Sequence, residues 1–337
     1  MSHPSDTATA AATFPDLDAG PAPDVKGALR RTDVLIVGGG LAGLSLADHL
    51  QTRGEDWLLA EAKEACGGRI RSPILVGAPF DVGPAWFWPG QSRMEALLRR
   101  FGLQVFGQFS KGDRLFQDPT GAVHRNRGFA SMEGSLRVAG GMGQLVTALL
   151  GALPGNRVMT GTGIAELRRT DGRIVATSAS GQIEARRVVL ALPPRVAAET
   201  IRFAPALPRP ALKAALAIPT WMAGQAKFVA VYDRPYWREA GFSGDAISQR
   251  GPLVEIHDAS PSAGGPFALF GFVGWPPDIR AQHRAETITQ AAGVGHLRTK
   301  PWPTAGSRDD GLGPGPDHRH PARLDRTRRS PRLWSSS

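Results

Sequence analysis

The chain holds a single cysteine, Cys66, so no internal disulfide framework can form, and a reducing compartment is the expected setting. Tyrosine is almost as scarce, with Tyr232 and Tyr236 alone. The longest apolar runs, such as Val34 to Val37 and Val188 to Leu192, are strand-sized, far short of the roughly 20 residues that cross a bilayer. From Met1 to about Arg30 the sequence is rich in Ala, Pro, Ser and Asp, without the basic start and apolar stretch of a secretory signal. These absences lead to the expectation of a disordered leader over residues 1–30 and a soluble, cytoplasmic protein with no membrane span.

What is present is an ordinary globular composition, 42% hydrophobic and 21% charged over 337 residues, enough to bury a core and long enough for two lobes. The formal charge of +10 raises the question of a nucleic-acid partner. About half of that excess lies in the last fifty or so residues, where Arg298, Lys300, Arg308, Arg319, Arg323, Arg326, Arg328, Arg329 and Arg332 stand among Pro and Gly. No specific nucleic acid is expected for the globular part, which is only mildly basic. His318 and His320 lack the Cys or carboxylate spacing of a metal site, and no metal is expected.

Asp33 to Val37 is a compact β-branched run, followed at once by Gly38-Gly39-Gly40-Leu41-Ala42-Gly43 and a helix-like stretch from Leu44 to Gln51. Strand, glycine turn and helix form the unit that places a diphosphate on a helix N-terminus. A second strand, Trp57 to Ala60, ends in Glu61, an acid about 20 residues beyond the turn where a carboxylate can accept ribose hydroxyls. The plain alternative for Glu61 is a solvated strand-end carboxylate. On these residues alone NAD and FAD are served equally, since both carry ADP.

The next segment separates them. Glu61-Ala62-Lys63-Glu64-Ala65-Cys66-Gly67-Gly68-Arg69, and then Phe80-Asp81-Val82-Gly83-Pro84-Ala85-Trp86, resemble the flavin-containing amine oxidase family, of the monoamine oxidase type. The resemblance implies that Gly38, Gly40, Leu41, Ala42, Gly43, Glu61, Ala62, Lys63, Gly68 and Arg69 hold the ADP portion of FAD, with Arg69 on the pyrophosphate. It further implies that Gly83, Pro84, Ala85 and Trp86 lie beside the flavin ring, and that the backbone of Ile164 pairs with adenine. Asp81 is then a structural acid. Trp86, Phe87 and Trp88 have two readings, cavity wall or core.

Val138 to Leu145 resembles the family's second glycine segment, and the strands near Met159, Ile164, Ile174 and Val188 resemble its small β-meander. Within Gly224 to Tyr232, Lys227 matches the lysine that holds a water against flavin N5 and is the expected catalytic residue. Its alternative is an edge-strand lysine reaching solvent. The implied fold class is α/β: a Rossmann-like FAD/NAD(P)-binding domain with a β-meander, residues 31–90 and 137–205, plus a mixed α+β substrate lobe, residues 91–136 and 206–290. The implied activity is oxidation of a small-molecule amine by hydride transfer to FAD, with oxygen as final acceptor and peroxide as product. Carotenoid desaturases and protoporphyrinogen oxidases share the glycine turn, acid and Gly-Gly-Arg run and remain an alternative. Residues 291–337 carry no strand or helix period and read as a disordered basic tail; the abrupt change of composition is also what a shifted reading frame produces, and an inactive truncated flavoprotein stays open at this point. Oligomeric state is not legible.

Overall fold

A computed structural model of the chain describes residues 29–128, 131–283 and, as backbone, 332–336. The expected leader up to residue 28, and the expected tail up to residue 331 with His318 and His320, lie outside the described residues. The chain opens with β1 (Arg30–Val37), α1 (Leu41–Thr52), β2 (Trp57–Ala60) and a ribbon of β3 (Ile74–Leu75) and β4 (Ala78–Pro79). Then come α2 (Ser92–Arg100), β5 (Val105–Gly107), β6 (Asp113–Gln117), β7 (Val123–Arg125), β8 (Leu136–Val138), α3 (Gly143–Gly151) and β9 (Val158–Met159). The meander β10 (Ile164–Thr170), β11 (Arg173–Ser178) and β12 (Gly181–Leu190) leads to α4 (Pro194–Thr200), β13 (Arg202–Ala204) and α5 (Arg209–Ala217). The last stretch holds β14 (Ala226–Tyr232), α6 (Tyr236–Glu239), β15 (Phe242–Ser248), β16 (Leu253–Asp258), β17 (Phe267–Val273), α7 (Pro277–Gln282) and β18 (Arg332–Ser336).

Two seven-stranded sheets organise these elements. The first has the order β13-β10-β11-β12-β1-β2-β9, with β1 parallel to both β12 and β2. A strand flanked by parallel neighbours is covered on both faces and reads as a continuous apolar run, which is what Val34 to Val37 is. Val34 and Ile36 pack with Leu44, Ala47 and Leu50 of α1 and Leu145 and Leu149 of α3. Leu35 and Val37 pack on the other face with Ala176, Ile183 and Ala185 of the meander. The fold is therefore α/β with the meander on one flank, as expected.

The second sheet has the order β18-β14-β17-β16-β15-β6-β7. Every residue of β14 is buried, because its two faces serve two cores. Phe228, Ala230 and Tyr232 pack with Trp237, Leu253 and Ile256. Val229 and Val231 pack with Phe270 and with Phe80, an arrival from the first lobe. The strand expected somewhere between Trp221 and Tyr236 is thus Ala226–Tyr232, with Tyr236 already helical. Within the basic tail, Arg332–Ser336 lies antiparallel on β14; composition among Arg, Pro and Gly gave no sign of that strand.

Candidate active site

The glycine turn is built by contacts that a side chain would destroy. A Cβ on Gly43 would stand 1.9 Å from the Gly38 carbonyl oxygen, and Gly38 itself has φ +110° with its own Cβ direction blocked by the Ala191 carbonyl at 2.7 Å. Helix α1 consequently starts hard against the end of β1. Its N-cap is Gly40, no side chain caps it, and its first turn carries no acid. The first-turn N–H groups and the positive end of the helix are left for an anion.

The other expected cofactor residues converge on this point. The Gly39 N–H donates to Glu61 Oε2 at 2.6 Å and the Lys63 N–H to Glu61 Oε1 at 2.9 Å. Gly67 N–H donates to the Gly39 carbonyl at 2.8 Å, and a Cβ on Gly68 would lie 3.1 Å from the Gly40 Cα. Thr162 N–H donates to the Glu61 carbonyl at 2.8 Å, which sets the start of β10, with Ile164, beside Glu61 and Ala62. Glu61 is 8% exposed; two of its roughly four lone-pair sites are used, leaving acceptors for hydroxyl groups. Lys63 is exposed. Arg69, also exposed, donates from its guanidinium to the Trp221 carbonyl at 3.1 Å. Cys66 stands at the turn, half-buried, and burial pushes its thiol pKa up, the Glu61 carboxylate adding to the effect; that opposes a reactive thiolate.

From Arg69 the site continues to Gly83, whose Cβ direction meets the Arg69 carbonyl oxygen at 2.0 Å. The Gly83 carbonyl in turn accepts a hydrogen bond from Lys227 Nζ at 2.5 Å, across 144 residues of sequence. Lys227 is 7% exposed on a strand flanked by β17 and β18, so it is no edge-strand lysine reaching water. Its ammonium lies 4.8 Å from the Trp86 ring centroid, 4.7 Å from Phe270 and 5.4 Å from Phe272, an aromatic setting that favours a cation. Burial pushes its pKa down to about 8, against the pull of Asp81, with Arg137 adding to the lowering.

The three expected aromatics divide. Trp86 leans on Phe270, with centroids 4.9 Å apart, and meets His257 edge-on, while its Nε1 donates to Gln108 Oε1 at 2.8 Å. Phe87 is core, packed among the residues around α2 and α3. Trp88 is 41% exposed. Asp81 caps the start of α3, accepting from the Met142 N–H at 2.9 Å and from Ser72, and burial raises its pKa. Arg137, 7% exposed, donates to the Ser260 and Ala259 carbonyls at 2.8 and 3.0 Å, tying the lobe that holds Asp81 to the turn after β16.

One cluster escaped the sequence reading. His257, 2% exposed, has Nδ1 2.7 Å from Asp245 Oδ1 and Nε2 2.8 Å from Glu255 Oε1. Ser131 Oγ donates to the same Glu255 oxygen at 2.5 Å. The signal was Glu255 and His257 alternating with Val254 and Ile256 in a strand pattern, which places two polar residues on one face. Burial alone lowers the imidazole pKa, but the hydrogen bonds to Asp245 and Glu255 outweigh it and hold the pKa above the ordinary value. Among the described residues, no group of three or more His, Cys, Asp or Glu could hold a metal, and no helix is long and apolar enough to cross a membrane.

A profile of the family described as flavin containing amine oxidoreductase matches residues 41–126 and 119–292. A Mycobacterium tuberculosis protein that bears the name flavin-containing monoamine oxidase AofH is 25% identical, over 72% of this chain and 74% of its own. Among solved structures, cyclohexylamine oxidase from Brevibacterium oxydans superposes with a TM-score of 0.72 at 18% identity, covering 79% of this chain and 81% of that one. A putrescine oxidase with bound putrescine gives 0.70 at 20% identity, over 80% and 81%. At these identities the superpositions speak for the fold.

Proposed function

From the premise that this chain belongs to the flavin-containing amine oxidoreductase family, we propose that it binds FAD along the line from the glycine turn to Lys227 and oxidises the α-carbon of a small-molecule amine. The residues present fit the cofactor: an uncapped helix N-terminus, a partly satisfied buried carboxylate at Glu61, and glycines at 43, 68 and 83 where a Cβ would collide. The α1 amides would hold the diphosphate, Glu61 the ribose, and Arg69 would leave the Trp221 carbonyl for the pyrophosphate, a stronger charge-assisted partner. Bound there, FAD supplies the hydride acceptor and the route for electrons to oxygen, with peroxide as the reduced product.

The observation that carries this reading is Lys227, a buried ammonium fixed to Gly83 of the segment expected beside the flavin ring. A lysine that keeps its charge in apolar surroundings needs a polar partner, and here it has one protein acceptor with two further N–H donors free to orient a water. Its fixed positive charge stabilises negative charge developing beside it, with no reorganisation at the moment of reaction. Trp86, Phe270 and Phe272 keep bulk water from that ammonium. The substrate amine, as its free base, loses a hydride from the α-carbon and a proton from nitrogen, and departs as an imine that water hydrolyses.

The test is direct. The purified full chain is examined for bound flavin absorbance, then mixed anaerobically with amines and, in parallel, with polyenes and porphyrinogens. Bleaching by amines and recovery with peroxide release on admitting air are expected. Colourless protein that cannot be reconstituted with FAD, or bleaching by a polyene or porphyrinogen alone, refutes the proposal.

A further inference from the structure

Between α5 and β14 the chain makes a turn in which every residue from Trp221 to Gln225 is exposed. Its apolar side chains stand in water: Trp221 is 75% exposed, Ile218 49% and Met222 40%. An indole carries one of the largest apolar surfaces a residue can bury, and a cluster of such side chains left uncovered at the rim of a site is a surface for something apolar. The backbone is also under load. Met222 has φ +61°, the left-handed region that costs a residue with a Cβ about 1–2 kcal/mol, and strain of this kind gathers in segments that move.

Few bonds hold the turn in that shape. Inside it, the Ala223 N–H donates to the Thr220 carbonyl and the Gln225 N–H to the Met222 carbonyl, each at 3.1 Å. From outside, two arginine side chains grip its carbonyls. Arg280 donates to Gly224 at 2.9 Å and also to Trp275 at 2.6 Å, so it fastens the turn to the second lobe. Arg69 donates to the Trp221 carbonyl at 3.1 Å and belongs to the other lobe, where its own carbonyl closes the Cβ direction of Gly83. The turn then runs straight into β14, whose second residue is Lys227, bonded to the Gly83 carbonyl. Trp221 is thus tied to both ends of the stretch from Arg69 to Lys227.

We propose that Trp221 is a cofactor-clamping residue released by Arg69. This rests on the FAD reading above and adds to it a contact on the flavin side. A diphosphate competes well against a neutral carbonyl for a guanidinium, because its bonds are charge-assisted and can be bidentate. When Arg69 turns to the diphosphate, the Trp221 carbonyl loses its donor while Arg280 keeps its hold on Gly224. The turn relaxes about Met222, and the Trp221 indole leaves water to cover the isoalloxazine. Arg69 therefore acts on the flavin end of the site through Trp221, as a positioning residue.

ADP separates the two steps, since it carries the diphosphate and lacks the flavin. The full chain, freed of any bound flavin, is titrated with ADP and with FAD, and amide hydrogen exchange is followed at Ala223 and Gln225. ADP is expected to speed exchange there about threefold or more, as loss of one hydrogen bond predicts, and FAD to slow it again. Arg69→Met is expected to exchange fast without ligand, with no further rise on adding ADP. Trp221→Ala is expected to weaken FAD about three- to tenfold, the worth of one aromatic contact, and to leave ADP affinity unchanged; Trp221→Phe keeps most of the FAD affinity. Trp221 lies at the surface, so these substitutions leave the cores intact. Trp221→Ala that binds FAD as tightly as the parent, or that loses ADP and FAD affinity equally, overturns the inference and leaves the FAD reading standing. Exchange at Ala223 and Gln225 that bound ADP does not alter overturns it as well. If the native chain binds neither ADP nor FAD, the FAD reading falls and this inference with it.

Discussion

Replacing Lys227 by methionine keeps an unbranched side chain one atom shorter and removes its charge and its bond to Gly83. Burial lowers the ammonium pKa from an ordinary 10.5 to about 8, a difference of about 3 kcal/mol. Well above pH 10.5 the amine is neutral in folded and unfolded chain alike, and burial of charge costs nothing. As the pH falls from there to about 8, the unfolded chain takes up the proton and the folded chain does not, so stability declines; below 8 both carry it and the loss is complete. Methionine is free of that cost but forfeits a hydrogen bond worth about 1 kcal/mol. Lys227→Met is accordingly expected to be more stable than the parent by about 2 kcal/mol at neutral pH, with the advantage gone by about pH 10. Urea unfolding at a series of pH values, read from the fluorescence of buried Trp57 and Trp237, measures the difference. A stability difference that stays flat across that range refutes the picture of a desolvated cation on β14.

Three further outcomes follow from the same structure. Gly43→Ala drives a methyl group against the Gly38 carbonyl and is expected to cost about 1–3 kcal/mol or more, seen as a lower Tm together with loss of FAD on purification; normal FAD content at an unchanged Tm would contradict the tight helix start. Glu61→Gln replaces a carboxylate that accepts from Gly39 and Lys63 and is expected to weaken FAD binding about tenfold or more, measured by flavin fluorescence quenching. Asp258, with a fully buried side chain paired to Arg238 at 2.7 Å and accepting from Trp237 Nε1 at 2.8 Å, is expected to lose about 3–5 kcal/mol as Asp258→Ala, read by urea titration.

The first lobe was legible because its signals are local. Asp33 to Val37, the glycines up to Gly43 and Glu61 declare themselves within thirty residues, and the structure brings Gly39, Glu61 and Gly67 into hydrogen-bonding distance. Lys227 was legible as a lysine among apolar residues, but nothing in the sequence shows its partner Gly83, because that contact depends on how two lobes meet. Trp86, Phe87 and Trp88 illustrate the same limit: three adjacent aromatics have three different environments, decided by alternation and by what packs opposite. The Asp245, Glu255 and His257 cluster spans two strands whose pairing is set by the β15–β16 register, so no short window contains it.

Strand β12 carries a consequence of its own. Ile183 to Ala185 are bonded on one side to β11 and on the other to β1, so one segment of chain is common property of the meander and of the strand that launches the glycine turn. Peeling the meander away strips β1 of a neighbour and loosens Gly38, whose Cβ direction is closed by the Ala191 carbonyl just past the end of β12. The nucleotide cradle and the meander should therefore open together: amides of β11 and β1 are expected to share a single opening free energy in hydrogen exchange.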